Sequence, residues 1–238
     1  FGLLSPGKGI EYMIEAMPEI VRHYPDAVYI VLGKTHPHVL RQSDEQYRGS
    51  LQQLVRQRGM QEHVIFHNEF VSLPRLIEFL GCADVYVTPY LNEAQAVSGT
   101  LAYALGAGKA VVSTPYWYAQ EMLADGRGVT VPFRNAEALA GEITRLFSST
   151  IQTSAMRKKA YLYCRDMTWS KVANQYAGMF SELTAKRLRT YYATWLPEGS
   201  DGEVDGLPTL KLDYLRTLTD HTGILQHARY SVPNKSHG

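Results

Sequence analysis

The segment Gly2-Leu3-Leu4-Ser5-Pro6-Gly7-Lys8-Gly9 reads as a glycine-rich turn leading from a strand into a helix. A helix start offers free N–H groups and the positive end of the peptide dipole, and Lys8 adds a full charge where a diphosphate would rest. The spelling approaches a Walker A loop. However, Gly9 stands where a nucleoside triphosphatase needs a Ser or Thr hydroxyl for magnesium, and the turn is too short for that fold of loop. The plainer reading of Lys8 is an exposed residue opening a helix. A second candidate runs from Pro89 to Thr100, between a strand end and another helix start. Open α/β sheets bind ligands outside the carboxyl ends of their strands, so the two loops could face one crevice. The small residues from Ala96 to Thr100, with Val97, Ser98 and Gly99 between them, allow oxygens of a phosphate or sugar close to the backbone. Glu93, an anion, would repel phosphate and suits the neutral hydroxyls of a sugar; otherwise it is a solvated carboxylate near a helix dipole.

These loops need a scaffold. Short apolar runs alternate with helix-period segments over most of the chain, which predicts an α/β fold: a Rossmann-like parallel sheet with helices on both faces. Ile10, Met13, Ile14, Met17, Ile20, Val21 and Tyr24 form one apolar stripe, ended by Pro25-Asp26. Strands are expected at 27–32, 64–66, 85–87, 110–112 and 129–131. A loop is expected at 34–37, and helices at 43–58, 73–80, 98–105, 119–123, 136–147 and 154–165. Thr168 reads as the N-cap of a last amphipathic helix carrying Val172, Tyr176, Met179, Phe180 and Leu183. The polar run Pro197-Glu198-Gly199-Ser200-Asp201-Gly202-Glu203 reads as a linker. The expected organisation is a domain over 1–190, a linker over 191–208 and the start of a truncated helical domain over 209–238.

The 238 residues carry 24 Lys plus Arg against 23 acids, a formal charge of +1, which disfavours a general nucleic-acid or anionic-lipid binder. Hydrophobic residues are 45% and charged residues 20%, and no apolar run reaches the roughly 18 residues of a membrane span. Cys82 and Cys164 lack CxxC spacing, so neither a disulfide framework nor structural zinc is expected, and a reducing cytoplasm fits best. Phe1-Gly2-Leu3-Leu4 reads as the end of a buried strand already in progress, and the chain as a fragment.

Taken in order, several segments resemble one family. Ser5-Pro6-Gly7-Lys8-Gly9-Ile10 is similar to a phosphate-binding turn, and Ala83-Asp84-Val85-Tyr86-Val87-Thr88-Pro89 to the strand before a donor loop. Gly106-Ala107-Gly108-Lys109-Ala110-Val111-Val112-Ser113-Thr114 is similar to a small-residue turn and its strand, and the segment from Glu121 to Val131 to the one that closes the domain. Together, over roughly Phe1 to Leu183, they resemble the C-terminal donor-binding domain of group 1 (family 4) retaining glycosyltransferases of the GT-B fold. The resemblance departs at two positions. Leu3 stands where the family carries a diphosphate-binding arginine, leaving Lys8 as the side-chain cation. Glu93 matches the first of the family's paired glutamates, which contacts the donor sugar, while Leu101 occupies the second, which holds the ribose. The tail from Leu210 to Gly238 resembles the opening of a helical, glycosidase-like domain.

The resemblance implies a bacterial enzyme of carbohydrate biosynthesis that transfers a hexosyl group from a nucleoside-diphosphate sugar to a carbohydrate or lipid-linked acceptor, with retention. Lys8 and Glu93 would carry the chemistry. Gly7, Gln95, Ala96, Val97, Ser98, Gly99 and Thr100 would bind the donor. No cofactor or metal is expected. The acceptor side would come from an N-terminal domain, without which the fragment binds donor but does not turn over. Two alternatives remain: a non-catalytic nucleotide-sugar-binding module, and a GT-B nucleotide-sugar epimerase. His36-Pro37-His38 is read as loop rather than a metal site for want of a third ligand. Tyr116-Trp117-Tyr118 could stack on a sugar or pack on a helix, and His67 and Asn68 could contact the base. The sequon Asn234-Lys235-Ser236 carries no meaning in a cytoplasmic protein.

Overall fold

Helix α1 (Ile10–His23) forms because its apolar residues recur on one face: Ile10, Met13, Ile14, Ala16, Met17 and Ile20 are all buried. Each large side chain is worth about 1.5–3 kcal/mol on burial, and together they outweigh the roughly 3 kcal/mol that Pro18 costs inside the helix. The helix stops at Tyr24, whose N–H still reaches the Ile20 carbonyl at 2.8 Å, just before Pro25. The computed structural model describes residues 1–193.

After α1 come β1 (Tyr29–Leu32), α2 (Pro37–Ser43), α3 (Gln46–Gln57), β2 (Val64–His67), α4 (Leu73–Cys82), β3 (Val85–Thr88) and α5 (Gly99–Gly106). They continue with β4 (Ala110–Ser113), α6 (Trp117–Leu123), β5 (Val129–Thr130), α7 (Ala136–Ser148), α8 (Thr150–Tyr163) and α9 (Trp169–Ala193). The expected strands from residue 27 onward and all the expected helices are present with ends shifted by a few residues, Phe1-Gly2-Leu3-Leu4 forms a single bridge from Leu4 to Thr35 in place of a strand end, and α2 is an addition. The chain was expected to loop there and begin a helix at Ser43. Instead His36 caps a short helix through its ring nitrogen, which accepts the His38 N–H at 3.1 Å, and Pro37 fits the first turn because it has no N–H to lose. The longer helix then starts afresh at Gln46. Helix α8 likewise begins four residues before the expected Ser154, because Ser149 caps it.

All strand pairing is parallel. β1 pairs with β2, Tyr29 opposite Val64, and β3-β4-β5 form a second group with Val85 opposite Ala110 and Val112 opposite Val129. No ladder joins β1 to β3. Between them lies a gap of about 370 Å³. Helices cover both faces. Ala110 and Val112 of β4 enter a core with α1, α3 and α7, while Val111 points into a second core with α5, α6 and α8. A strand buried on both faces is the arrangement that the non-alternating apolar run Ala110-Val111-Val112 calls for.

Among the described residues the chain divides into two units, Phe1–Arg165 and the segment from Asp166 onward. In the second, Thr168 receives the Lys171 N–H at 3.4 Å, as expected of the cap of α9. The linker and tail expectations lie outside the described residues, apart from the end of α9. Both cysteines are free thiols, Cys82 exposed and Cys164 buried. No described helix is long and apolar enough to cross a membrane.

Lys109 shows how tightly the strand ends are tied. It is 4% exposed, and its ammonium donates to the carbonyls of Gly81 and Ala83, each at 2.9 Å, closing the C-terminal end of α4. Burial, with Arg157 nearby, lowers its pKa from the ordinary lysine value. Lys109→Met keeps the aliphatic stem and strands two carbonyls, so it should lower stability by about 1–3 kcal/mol in denaturant unfolding.

Candidate functional site

The carboxyl ends of the strands gather three segments: the turn from Gly2 to Gly9, the loop from Pro89 to Ser98, and the residues from Thr114 to Trp117 that enter α6. Backbone contact locks the first to the second. Gly9 has φ 66°, and a Cβ placed on it would sit 1.8 Å from the Pro89 carbonyl oxygen. The Leu91 N–H donates to the Gly7 carbonyl at 2.9 Å, and the Lys8 N–H closes the turn onto Ser5 at 3.2 Å. This explains why Gly9 replaces the hydroxyl residue of a Walker loop: no side chain fits there.

Lys8 lies beside that contact with its ammonium 3.9 Å above the Tyr90 ring, an attractive cation–π placement. It makes no hydrogen bond or ion pair among the described residues. Tyr90 in turn shares a hydrogen bond with Thr100 at 2.8 Å and stacks on Tyr116, centroids 5.3 Å apart. The chain Lys8–Tyr90–Thr100 therefore connects the turn to the start of α5. There Ser98 caps the helix, receiving the Leu101 N–H at 3.3 Å, and its hydroxyl lies 3.2 Å from that of Thr100. The loop between is pinned from α6. Trp117 donates its N–H to the Glu93 carbonyl at 3.0 Å, Tyr118 to the Gln95 carbonyl at 3.2 Å, and the Gln95 side-chain amide donates to the Val97 carbonyl at 3.0 Å.

Of the residues singled out from sequence, Gly7 and Lys8 lie against Pro89–Leu91, and Ser98, Gly99 and Thr100 form the start of α5. Glu93, Ala96 and Val97 stand exposed on the connecting loop, and the Glu93 carboxylate has no hydrogen bond or ion pair among the described residues. Leu101 does not face the crevice. It is fully buried with Ala104 and Leu105, so its position contributes to the core and not to a ribose contact. Leu3 lines the gap between β1 and β3. Tyr116 is a packing residue, fully buried on Tyr90, with its phenol pKa raised by burial, whereas Trp117 is exposed. His67 packs its ring edge-on to Phe79 at 5.1 Å. No group of three or more potential metal ligands occurs among the described residues.

The floor of the site escaped the motif reading. Thr88, Ser113 and Thr114 are buried together: the Thr88 hydroxyl donates to Ser113 at 2.8 Å, and the Thr114 hydroxyl donates to the Tyr90 carbonyl. These bonds fix the peptide that carries the Tyr90 ring. The available signal was a hydroxyl residue directly before a proline at two strand ends, Thr88-Pro89 and Thr114-Pro115.

The family described as Glycosyl transferases group 1 matches residues 1–163, which contain every segment of this crevice. The chain belongs to that family. A phosphatidyl-myo-inositol mannosyltransferase from Mycolicibacterium smegmatis is 23% identical over 186 residues, covering 78% of this chain and 44% of its own length. The chain thus spans less than half of that relative. The C-terminal domain of LpcC, a group 1 glycosyltransferase from Francisella tularensis, superposes with a TM-score of 0.59 at 22% identity, covering 68% of this chain and 80% of that domain. Anabaena HepE in complex with UDP superposes with a TM-score of 0.64 at 22% identity, covering 76% of this chain and 47% of that one. At these identities the structures establish the shared Rossmann-like domain. They leave the roles of this chain's residues to its own geometry.

The contact that joins the two loops is open to a direct test. Ala at Gly7 (φ 91°) or Gly9 (φ 66°) incurs a positive-φ backbone penalty of about 1–2 kcal/mol. Only at Gly9 does the new Cβ also meet a carbonyl, since nothing lies within 4 Å at Gly7. Thermal unfolding should therefore show Gly9→Ala losing more stability than Gly7→Ala.

Proposed function

We propose that this group 1 glycosyltransferase domain holds a nucleoside-diphosphate sugar at the crevice and serves transfer of the sugar to an acceptor hydroxyl with retention, as in family 4. The observation that carries this reading is the pairing of a free ammonium, Lys8, with the Ser98-capped start of α5, locked together through Gly9, Pro89 and the Tyr90–Thr100 hydrogen bond. A diphosphate resting between them meets one full positive charge and the N–H groups from Val97 to Gly99.

The chemistry follows from where charge develops. As the bond from the anomeric carbon to the diphosphate oxygen lengthens, the sugar ring gains oxocarbenium character and the leaving group gains negative charge. The acceptor oxygen forms the new bond to that carbon on the face the diphosphate leaves, which keeps the configuration, and its proton passes to the departing diphosphate oxygen. Lys8 and the helix start stabilise the departing diphosphate without reorganising, which is the most effective kind of electrostatic assistance. Glu93, exposed on a loop pinned to α6, accepts hydrogen bonds from sugar hydroxyls and so aligns the donor. No metal is needed for this scheme. The acceptor, carbohydrate or lipid-linked, is held by a further domain, in keeping with a chain that covers 44% of its mannosyltransferase relative. The HepE complex with UDP makes a uridine donor the first to try.

Calorimetric titration with UDP, GDP, ADP and their sugar conjugates tests the assignment. One nucleotide should bind. Lys8→Ala should weaken it by about tenfold or more, the worth of a charge-assisted hydrogen bond. Glu93→Ala should leave nucleotide affinity intact and abolish the additional affinity contributed by the sugar. Nucleotide binding indifferent to Lys8→Ala would overturn the site.

A further inference from the structure

The fold uses the backbone of Trp117 and leaves its side chain idle. Beyond β3 the residues from Asn92 to Gln95 make a tight turn. The Gln95 N–H donates to the Asn92 carbonyl at 3.3 Å, and the Asn92 side chain accepts the Ala94 N–H at 3.2 Å. Glu93 is the first of the two central residues of this turn. The N–H groups of Trp117 and Tyr118, which open α6, donate to the carbonyls of Glu93 and Gln95 at 3.0 and 3.2 Å. Any residue other than proline supplies such a backbone donor, so this contact does not call for an indole. Helix α6 fills its buried face with Ala119, Met122 and Leu123, and Tyr116 ahead of it is fully buried. Trp117 itself is 58% exposed, and its ring has no aromatic or hydrogen-bonding partner among the described residues.

An indole and a carboxylate carried by hydrogen-bonded peptides bring together two complementary chemistries. The carboxylate accepts hydrogen bonds from hydroxyls, and the ring face is a rigid apolar surface. A pyranose presents both partners, hydroxyls around its edge and C–H groups on its faces. Position and charge narrow the choice further. Lys8 stands over Tyr90, and Glu93 follows Tyr90 by three residues, at most roughly 11 Å of extended chain, so a sugar on a diphosphate seated at Lys8 reaches the turn. From Pro89 to Ser98 and from Thr114 to Ala119, the two segments that frame this place, Glu93 is the sole acidic or basic residue. A sugar with a carboxylate of its own would meet Glu93 with no cation beside it to offset the repulsion, because Lys8 is engaged by the diphosphate. An uncharged sugar meets no such penalty. Val97, 75% exposed, adds a second apolar side chain to the same loop.

We propose that Trp117 is the stacking platform for the donor sugar and that, together with Glu93, it restricts the donor to an uncharged hexopyranose and refuses a uronate. This rests on the donor-site reading above and adds the substrate class to it. A pyranose laid on the indole removes apolar surface of both from water while its edge hydroxyls reach the carboxylate. The platform also sorts by shape, because an axial hydroxyl on the stacked face lifts the ring off the indole. Trp117 takes no proton and touches no breaking bond, so it sets which sugar is held and not how the sugar reacts. Its peptide keeps the bond to Glu93 whatever the side chain. Substitution therefore separates the platform from the turn that carries the carboxylate.

The test is calorimetry of UDP against UDP-glucose and UDP-glucuronate, and of GDP against GDP-mannose, with the unaltered chain, Trp117→Phe and Trp117→Ala. The unaltered chain should bind at least one neutral conjugate about tenfold or more tighter than its nucleotide, and UDP-glucuronate no tighter than UDP. Trp117→Ala should lose most of that gain and keep the nucleotide Kd within about twofold, whereas Trp117→Phe, with a smaller ring face, should keep a gain of about threefold. Both variants should unfold within about 2 °C of the unaltered chain, as exposed substitutions do. In amide spectra, the indole N–H signal that Trp117→Phe removes should shift with the neutral conjugate and stay in place with the nucleotide alone. A gain that survives Trp117→Ala overturns the proposal, as does a uronate gain equal to the neutral one, or nucleotide binding with no gain from any neutral sugar. In each of those cases the nucleotide still binds, so the donor site stands. Failure of every nucleotide to bind the unaltered chain instead overturns the donor-site reading, and this proposal with it.

Discussion

The close approach of Gly9 to the Pro89 carbonyl is the constraint on which the site depends. It lets the turn before α1 lie directly on the loop that follows β3, and the Leu91 to Gly7 hydrogen bond of 2.9 Å holds it there. Lys8 and the tyrosine beneath it are positioned from that seam. Lys8 is raised over Tyr90, Tyr90 is fixed by Thr100 on one side and by buried Thr114 on the other, and Tyr116 supports the ring from beneath. The cation is thus held by packing and left without an anion among the described residues, which is the state the proposed diphosphate seat requires. A surface lysine with its own carboxylate partner would be a weaker receptor, because binding would first have to break that pair.

Preorganisation of this kind has a cost that the fold meets elsewhere. Burying Thr88, Ser113 and Thr114 at the strand ends places three hydroxyls away from water, and each is satisfied by a bond to another or to a carbonyl. Lys109 performs the same service at the opposite end of the sheet, tying the last carbonyls of α4 to the start of β4. The two polar clusters bracket an apolar strand, Ala110-Val111-Val112, that feeds both cores.

Much of this architecture was legible in the sequence because it is written in local periodicity. The stripe from Ile10 to Ile20 and the unbroken apolar runs of the strands each report burial residue by residue. Helix α2 was hidden because its apolar pattern is weak and its start depends on a histidine cap beside a proline. Leu101 illustrates a different limit. Spacing from Glu93 set it at the position that holds the ribose in the resembled family, as a departure from that family, and the stripe Leu101, Ala104, Leu105 marks the buried face of α5, where the structure has it. The Tyr90–Thr100–Tyr116 cluster was illegible for a further reason: it arises from contacts between separate segments, which no local pattern encodes. For function, the motif turn and the loop after β3 were expected to face one crevice, and their junction through Gly9 was not visible.

Amide chemical-shift mapping of the isotopically labelled chain during titration with UDP and GDP bears most directly on the central claim. The account predicts that the largest perturbations fall together at Gly7, Lys8 and Gly9 and at Ser98, Gly99 and Thr100, the two halves of one diphosphate seat. Perturbations confined to one half, or clustered away from both, would contradict it.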